Sequence, residues 1–245
     1  MKTLLVFLFL SVGAHGQVLH IGDSLSVGAF GADIYNDLKN RGIDISTRAV
    51  GGSVLGDYLT GKATSLGYRV DDKIFAGGKV IPNPKIEDLV AQKKPKFVVI
   101  QNGTNSAWAF VSPKYGPSFI KDQTQRFLEK LGKGTGCLYI LPPKRVSKTY
   151  NEKMQNELAL TLLEAVGDSC KIFDTRGYFD EHYKKLNIDQ KLLVNIIPPP
   201  DGIKNFKDFK PGPDNVHFSK GEYKRWASEV LKYLPELVTS SRPKQ

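Results

Sequence analysis

The stretch Val18-Leu19-His20-Ile21-Gly22-Asp23-Ser24-Leu25 decides the fold, because a short apolar run ends at a glycine and leads at once into helix-spaced residues. The apolar run predicts a buried strand that ends near Ile21. The following apolar spacing predicts a helix over 25–42, which stops at a glycine. A strand that passes directly into a helix is the opening unit of an α/β domain.

The same alternation of strand and helix continues along the chain. Strands are predicted over 43–50, 96–100, 137–141 and 171–175, and helices over 119–131, 151–166 and 219–237. With the first strand this makes a mainly parallel five-stranded sheet with helices on both faces. Two stretches, Gly56 to Pro84 and Gly177 to Pro213, are expected to be long irregular loops.

Polar, glycine-containing segments follow the first three predicted strands. They are Gly-Asp-Ser at 22–24, Gly-Gly-Ser at 51–53 and Gly-Thr-Asn at 103–105. Parallel α/β sheets bind their ligands beyond the carboxyl ends of the strands. The three segments are therefore expected to form one site.

Ser24 is the candidate nucleophile of that site. A serine hydroxyl needs a base to take its proton and donors to stabilise the oxyanion. The backbone N–H of Ser24 belongs to the unpaired first turn of the predicted helix, so it is also a candidate oxyanion donor. The alternative role for a serine at such a junction is a helix N-cap. The flanking residues do not form the Gly-x-Ser-x-Gly elbow of α/β-hydrolases.

Three histidines downstream of residue 16 are candidates for the base. His20 lies inside the first strand, where a packed histidine is expected, and His182 lies in a charged, solvated stretch. His217 follows Asp214 by three residues, just before the last predicted helix. Residues three apart share a face in a helical turn, so the carboxylate can orient the imidazole. A surface ion pair is the alternative for the pair taken alone.

These segments together resemble the SGNH (GDSL-type) hydrolases. Ile21 to Leu25 matches their Gly-Asp-Ser-Leu block, and 51–53 and 103–105 are similar to their second and third blocks. Asp214 and His217 match the final Asp-x-x-His block. The four blocks occur in the family's order over residues 21–217. One departure is Ser106, where the family usually has an aspartate.

The resemblance implies a flavodoxin-like three-layer α/β/α sandwich and a serine esterase that works without metal or other cofactor. Ser24, Asp214 and His217 would be the catalytic residues. The oxyanion would be held by the N–H groups of Ser24 and Gly52 and by the side chain of Asn105. The ester would be hydrolysed through an acyl-enzyme.

The first sixteen residues read as a secretory signal peptide. Lys2 is followed by an apolar run from Leu4 to Val12 and by small residues, which predicts cleavage between Gly16 and Gln17. The apolar run is too short for a membrane anchor, which needs roughly twenty residues. Residues 17–245 are then a single exported domain, periplasmic or secreted, with no stable membrane anchor.

Cys137 and Cys170 are expected to form a disulfide. An even cysteine pair in an exported protein favours a bridge. Each cysteine lies at the start of an apolar run that reads as a strand, 138–141 and 172–173, so both would lie at the same end of the sheet if these strands are parallel neighbours. Two buried free thiols are the alternative.

The composition and the activities found in the family narrow the range of substrates that we expect. The formal charge of +10 favours an anionic partner such as an acidic polysaccharide, and no nucleic-acid motif is present. Trp108, Phe110 and Tyr115 offer aromatic faces for sugar rings, although Trp108 is equally consistent with core packing. The preferred substrate is an O-acetyl ester on a cell-wall or extracellular polysaccharide. The alternatives are a lipid or short-chain acyl esterase or thioesterase, a polysaccharide O-acetyltransferase, and a non-catalytic carbohydrate-binding protein.

Overall fold

Strands and helices alternate along the chain, as the sequence predicts. The structure is a computed structural model and describes residues 17–112, 114–143, 150–175, 195–197 and 217–240. The strands are β1 (Val18–Gly22), β2 (Ile45–Val50), β3 (Tyr68–Val70), β4 (Lys73–Phe75), β5 (Phe97–Gln101), β6 (Gly136–Ile140), β7 (Lys171–Phe173) and β8 (Ile196–Ile197).

Nine α-helices and one 3₁₀ helix occur in the described part of the chain. They are α1 (Ser24–Val27), α2 (Ala29–Asn40), α3 (Leu55–Thr60), α4 (Ile86–Lys93), the 3₁₀ helix Asn105–Ala107, α5 (Trp108–Val111), α6 (Pro117–Glu129), α7 (Glu152–Val166), α8 (Lys220–Leu231) and α9 (Leu234–Ser240). None of the helices that the structure describes is long and apolar enough to span a membrane.

All eight strands belong to one sheet, in the order β4-β3-β2-β1-β5-β6-β7-β8. The five strands predicted from the sequence are present and pair in parallel, in the flavodoxin-like order. The predicted count of five is wrong, because β3 and β4 add an antiparallel hairpin at one edge and β8 adds a strand at the other.

Helices cover both faces of the sheet, which is the three-layer sandwich that the sequence predicts. One face packs on α3, α4, α6 and α7 through side chains such as Tyr58, Phe127 and Leu162. The other packs on α2, α8 and α9, where Phe30 and Trp226 stack with ring centroids 4.0 Å apart. Since both faces are buried, the central strands are almost continuously apolar.

The predicted helix over 25–42 is wrong in one respect, because the chain breaks it at Gly28. The ψ angle of Gly28 is −141°, which is not helical, so α1 ends at Val27 and α2 begins at Ala29. The Arg69 side chain fixes the break by donating to the carbonyl oxygens of Val27, at 2.9 Å, and Gly28, at 3.2 Å.

The loop predicted over Gly56 to Pro84 is also wrong in part. Most of α3 and the whole β3–β4 hairpin lie within it. Strands β3 and β4 have only three residues each, which is too few to show a two-residue alternation in the sequence. Within the second predicted loop the structure describes only 195–197, which contribute β8, and the remainder of that loop, like residues 1–16, lies outside the described residues.

Cys137 and Cys170 form the predicted disulfide, with their Cα atoms 4.8 Å apart. Cys137 lies in β6, and Cys170 immediately precedes the parallel neighbour β7. The bridge therefore ties the start of β7 to the sheet across α7, which connects the two strands.

We predict that reducing this bridge destabilises the protein. It closes a loop of 33 residues, for which the chain-entropy model gives about 3–4 kcal/mol. The melting temperature should fall by roughly 10 °C on reduction. A Cys137→Ala, Cys170→Ala variant is the control, because its lower melting temperature should not respond to the reductant. Two titratable thiols in unreduced, denatured protein would contradict the bridge.

Candidate active site

The ends of three neighbouring strands bring the predicted site segments together. β1 lies between β2 and β5, and Gly22 at its end is in register with Ala49 and with Gln101. The segments after these strands carry Ser24, Gly52 and Asn105, respectively. This position is a topological switch point of the sheet, where doubly wound folds bind their ligands.

Ser24 is the first residue of α1, and the N-cap is Asp23. The Asp23 Oδ1 atom accepts the backbone N–H of Leu25 at 3.0 Å, which satisfies one of the unpaired donors of the first turn. The capping role considered for Ser24 therefore belongs to its neighbour. Ser24 itself is half-buried, and its hydroxyl makes no hydrogen bond with a described residue.

Gly22 makes the tight turn before Ser24 possible. A Cβ atom at this position would overlap the side chain of Ser26 in the first turn of α1. Only glycine therefore lets the helix start so close to the end of β1.

The segments that carry Gly52 and Asn105 are hydrogen-bonded to each other beyond the strand ends. The Asn105 Nδ2 donates to the carbonyl oxygen of Ser53 at 3.1 Å, so the third segment is bound to the second. Because an amide nitrogen carries two hydrogens, this bond leaves the second N–H of Asn105 for another acceptor. Gly52 has a φ of +74°, in the left-handed region that favours glycine, and its backbone is exposed.

The predicted base lies on the same side of the molecule. His217 lies just before α8, which begins at Lys220. Its charge lowers the pKa of Asp23, the residue that precedes Ser24. The structure thus brings His217 near the start of α1. Asp214 and His182 lie outside the described residues.

Asp23 is the most unusual group at the site. Its side chain is fully buried, and burial raises the pKa of its carboxyl to about 6. Smaller opposing effects come from the Leu25 N–H, the Gln101 side chain, the Thr104 N–H and the charge of His217. The carboxyl therefore caps the turn of Ser24 through Oδ1, while its Oδ2 is buried without a hydrogen-bond partner.

A buried polar network lies beneath this turn and accounts for His20. The Ser26 hydroxyl donates to Gln101 Oε1 at 2.7 Å, and the His20 Nε2 lies 3.2 Å from the same hydroxyl oxygen. Since the single hydroxyl hydrogen is used, His20 must donate through Nε2–H. Burial and, next, the charge of Arg69 lower the pKa of His20 to about 3, so it is a neutral packed histidine, as expected.

Two buried tyrosines hold the strand ends in place. The Tyr58 hydroxyl donates to the Gly22 carbonyl oxygen at 2.8 Å and lies 3.2 Å from that of Arg48. The Tyr139 hydroxyl donates to the Asn102 carbonyl oxygen at 2.9 Å. Burial raises the pKa of both, so they remain protonated donors. Their spacing in the sequence gives no signal of this role, whereas Asp23 could have been recognised as a cap.

Trp108 is part of an aromatic cluster. Its ring lies edge-on to Tyr115, with centroids 4.9 Å apart, and 6.2 Å from Phe119. Together with Val54 and Ser106 it also lines a small apolar cavity beside the Ser53 and Asn105 segments. Packing is therefore established for Trp108, and contact with substrate stays a prediction.

The part of the chain that the structure describes contains no group of three or more histidine, cysteine or acidic side chains placed to hold a metal ion. The site segments themselves contribute hydroxyl, amide and backbone N–H groups, together with Asp23 and His217. These are groups for proton transfer and for holding an oxyanion.

We predict that Asp23 makes the stability of the fold depend on pH. Because its pKa rises from 3.8 in the unfolded chain to about 6, the folded chain binds a proton more tightly between these values. Its favourable contribution is complete below about pH 4 and is lost as the pH rises through 6. Asp23→Asn keeps an oxygen for the Leu25 N–H and cannot ionise. The free energy of unfolding of the wild type, relative to Asp23→Asn, should fall by about 2 kcal/mol between pH 4 and 7.

Exposed Asp88 provides the matched control for this measurement. Chemical denaturation across that pH range should show no comparable slope for Asp88→Asn. Parallel profiles for the wild type and Asp23→Asn would contradict the buried, proton-binding carboxyl.

Comparison with known proteins agrees with this geometry. The family model described as "GDSL-like Lipase/Acylhydrolase" matches residues 18–230, which is most of the chain. No curated protein matches the sequence.

Solved structures of the same fold have low sequence identity to this chain. An acetyl esterase mutant with an acetate ion shares 11% identity at a TM-score of 0.58, covering 93% of this chain and 100% of its own. TesA shares 14% at 0.56, covering 90% and 99%. A peptidoglycan O-acetylesterase shares 14% at 0.50, covering 92% of both chains. The fold is shared, and the family match extends over the strand ends and His217: the chain belongs to the GDSL-like lipase/acylhydrolase family and is a serine ester hydrolase.

Proposed function

We propose that this protein is an exported esterase that removes O-acetyl groups from a cell-wall or extracellular polysaccharide, with Ser24 as nucleophile and His217 as base. The observation that carries the proposal is the meeting of three strand ends. The segments that carry Ser24, Gly52 and Asn105 follow these strands, the Asn105 amide binds the Ser53 carbonyl oxygen, and the charge of His217 acts on Asp23, which supports the proposal.

Each group has a defined part in the proposed reaction. His217 takes the proton of the Ser24 hydroxyl as its oxygen attacks the ester carbonyl, and Asp214 orients the imidazole. The N–H groups of Ser24 and Gly52 and the second Nδ2–H of Asn105 stabilise the oxyanion. Collapse of the intermediate expels the alcohol, which receives the proton from His217. A water activated by His217 then hydrolyses the acyl-enzyme.

The small cavity beside the oxyanion segments supports a short acyl group. It has a volume of about 10 Å³ and is lined by Val54, Ser106, Trp108 and other, mainly apolar, side chains. That space holds about one water-sized group. The methyl group of an acetyl ester is of this size, and a long acyl chain would need the walls to move apart.

Charge and the disulfide support the rest of the proposal. A formal charge of +10 favours an anionic polymer, and a disulfide is typical of exported proteins. One of the structural neighbours is named as acting on peptidoglycan, which is a polysaccharide-based polymer of the cell wall.

A lipid ester is the second candidate, because apolar side chains are exposed on and around the β3–β4 hairpin. Among the described residues, four of the five large hydrophobic side chains that are exposed lie between 66 and 80: Leu66, Ile74, Phe75 and Val80. Leu66 also lies directly against Gly52. Such a surface would suit an acyl chain or a lipid interface.

Substrate chain length separates the two candidates. We predict that kcat/KM for aryl esters is highest for the acetate and falls as the acyl chain lengthens, and that acetate is released from acetylated polysaccharides. Ser24→Ala should reduce both activities to background, while exposed Ser118→Ala on α6 should not. A hexanoate ester cleaved faster than the acetate would favour the lipid candidate instead.

The oxyanion assignment gives a prediction about rate. Asn105→Ala removes one of three proposed donors and should lower kcat by roughly 10²–10³ with a much smaller change in KM. Asn102→Ala is a matched comparison, because Asn102 Nδ2 also approaches the Ser53 carbonyl oxygen, at 3.4 Å, without being a proposed donor. The Asn102→Ala variant should have a lower melting temperature than the wild type, and its loss of kcat should be smaller than that of Asn105→Ala. A kcat loss as large as that of Asn105→Ala would mean that the amides act only by holding the Ser53 segment.

A further inference from the structure

A second, larger cavity lies behind the β3–β4 hairpin, and none of the predicted site residues lines it. Its volume is about 320 Å³, which is within the range of small-molecule sites. The walls come from β2, from β3 and from the segment 81–84. The lining includes Arg48, Tyr68 and Asn83.

Asn83 supplies a largely buried amide to the wall of the cavity. Its side chain is only 4% exposed, and its Oδ1 atom has no hydrogen-bond partner. A buried acceptor without a partner costs free energy, and native folds leave few of them. That oxygen has almost no accessible surface, so a ligand in the cavity would meet the other amide atom of Asn83, Nδ2, which is a donor with no partner among the described residues.

Arg48 supplies a cation with donors to spare. Its side chain is 20% exposed, and Nη1 donates to the Thr47 carbonyl oxygen at 2.9 Å and lies 3.6 Å from Asp71 Oδ1. That Asp71 oxygen also accepts the Thr47 N–H at 2.9 Å. Both contacts of the guanidinium use Nη1, so Nε and Nη2 have no partner among the described residues. A guanidinium with two donors to spare favours a carboxylate, which it can bind through two hydrogen bonds.

The remaining walls are apolar apart from Arg69, whose guanidinium already donates to backbone carbonyl oxygens of the protein. Val50, Pro82 and Pro84 line the cavity, and the Tyr68 ring is fixed by stacking on Phe75, with centroids 4.6 Å apart. A sugar ring combines apolar C–H faces with hydroxyl groups at its edge. The apolar walls with the Asn83 amide suit the ring, and Arg48 suits an acidic substituent on it.

The cavity is joined to the predicted oxyanion segment through the chain. Gly67, next to Tyr68, accepts the backbone N–H of Gly51 at 2.7 Å, and the Thr64 hydroxyl lies 3.4 Å from the Gly51 carbonyl oxygen. Leu66 lies against Gly52. A polymer that presents an ester at Ser24 would therefore meet this part of the hairpin next.

We propose that the cavity between Arg48, Tyr68 and Asn83 is a binding subsite for a carboxylate-bearing sugar residue of the polymer whose acyl group is cleaved at Ser24. The role of the subsite in the reaction rests on the proposed function. The binding of an acidic sugar rests only on the residues that line the cavity. It makes the preferred polymer an acidic polysaccharide.

Calorimetric titration with a galacturonic acid trisaccharide tests the ligand directly, because this probe carries no ester. We expect the full-length protein to bind it at least tenfold more tightly than the neutral galactose trisaccharide. Arg48→Gln should weaken binding of the acidic probe about tenfold or more and abolish the preference. Arg126→Gln removes a cation from exposed helix α6 and should leave both affinities unchanged.

Kinetics then place the subsite in the reaction. Arg48→Gln should raise KM for an O-acetylated oligogalacturonate about tenfold and leave kcat/KM for an aryl acetate unchanged. Arg48→Lys, which keeps the charge and loses the planar fork, should lie between the wild type and Arg48→Gln, and it replaces Arg48→Gln if that variant does not fold.

Either of two results would overturn the subsite: equal affinity of the wild type for the acidic and neutral trisaccharides, or an unchanged affinity in the Arg48 variants. Failure of the proposed function is a separate result. It would appear as absent ester cleavage by a protein that still binds the acidic trisaccharide through Arg48.

Discussion

The in-register pairing of β1 with β2 on one side and β5 on the other is the constraint on which the site depends. Gly22 and Gln101 end β1 and β5 in register with Ala49, one residue before the end of β2, so the segments that follow share the space beyond that edge. The buried hydroxyls of Tyr58 and Tyr139 then bind carbonyl groups at this edge, and the Asn105 amide ties two of the segments together.

This arrangement requires polar groups to be buried, which lowers the stability of the fold. Asp23 is ionisable and fully buried, and the network of His20, Ser26 and Gln101 leaves the Nδ1 atom of His20 and the Nε2 atom of Gln101 without partners. Such groups cost stability, and apolar side chains in their place would cost less. What the polar groups supply instead is position, because each hydrogen bond in the turn fixes one segment relative to another.

Most of the fold and the location of the site could be predicted from the sequence. The five parallel strands alternate with recognisable helices, and the polar segments directly follow three of the strands. The Ser219 cap of α8 was predictable for the same local reason, since its hydroxyl accepts the Glu222 N–H at 3.3 Å. These features depend on residues close together in the chain.

The features that escaped prediction depend on tertiary contacts or on very short elements. β3, β4 and β8 have two or three residues each, and they exist because a neighbouring strand offers hydrogen bonds. The break at Gly28 depends on Arg69, which is distant in the sequence. The raised pKa of Asp23 depends on burial, which no local pattern reveals. The cavity behind the hairpin also escaped prediction, because its walls come from three segments that are separated in the sequence.

Covalent labelling with a fluorophosphonate tests the central claim most directly, because this reagent reacts with a serine activated by a base and held beside oxyanion donors. Peptide mapping by mass spectrometry should find one label per chain, on Ser24, and labelling should be lost in His217→Ala. Ser26 and Ser53 provide internal comparisons, because their hydroxyls are buried and donate to Gln101 and to the Val50 carbonyl oxygen. A label on either of them, or a folded protein that does not react, would contradict the account.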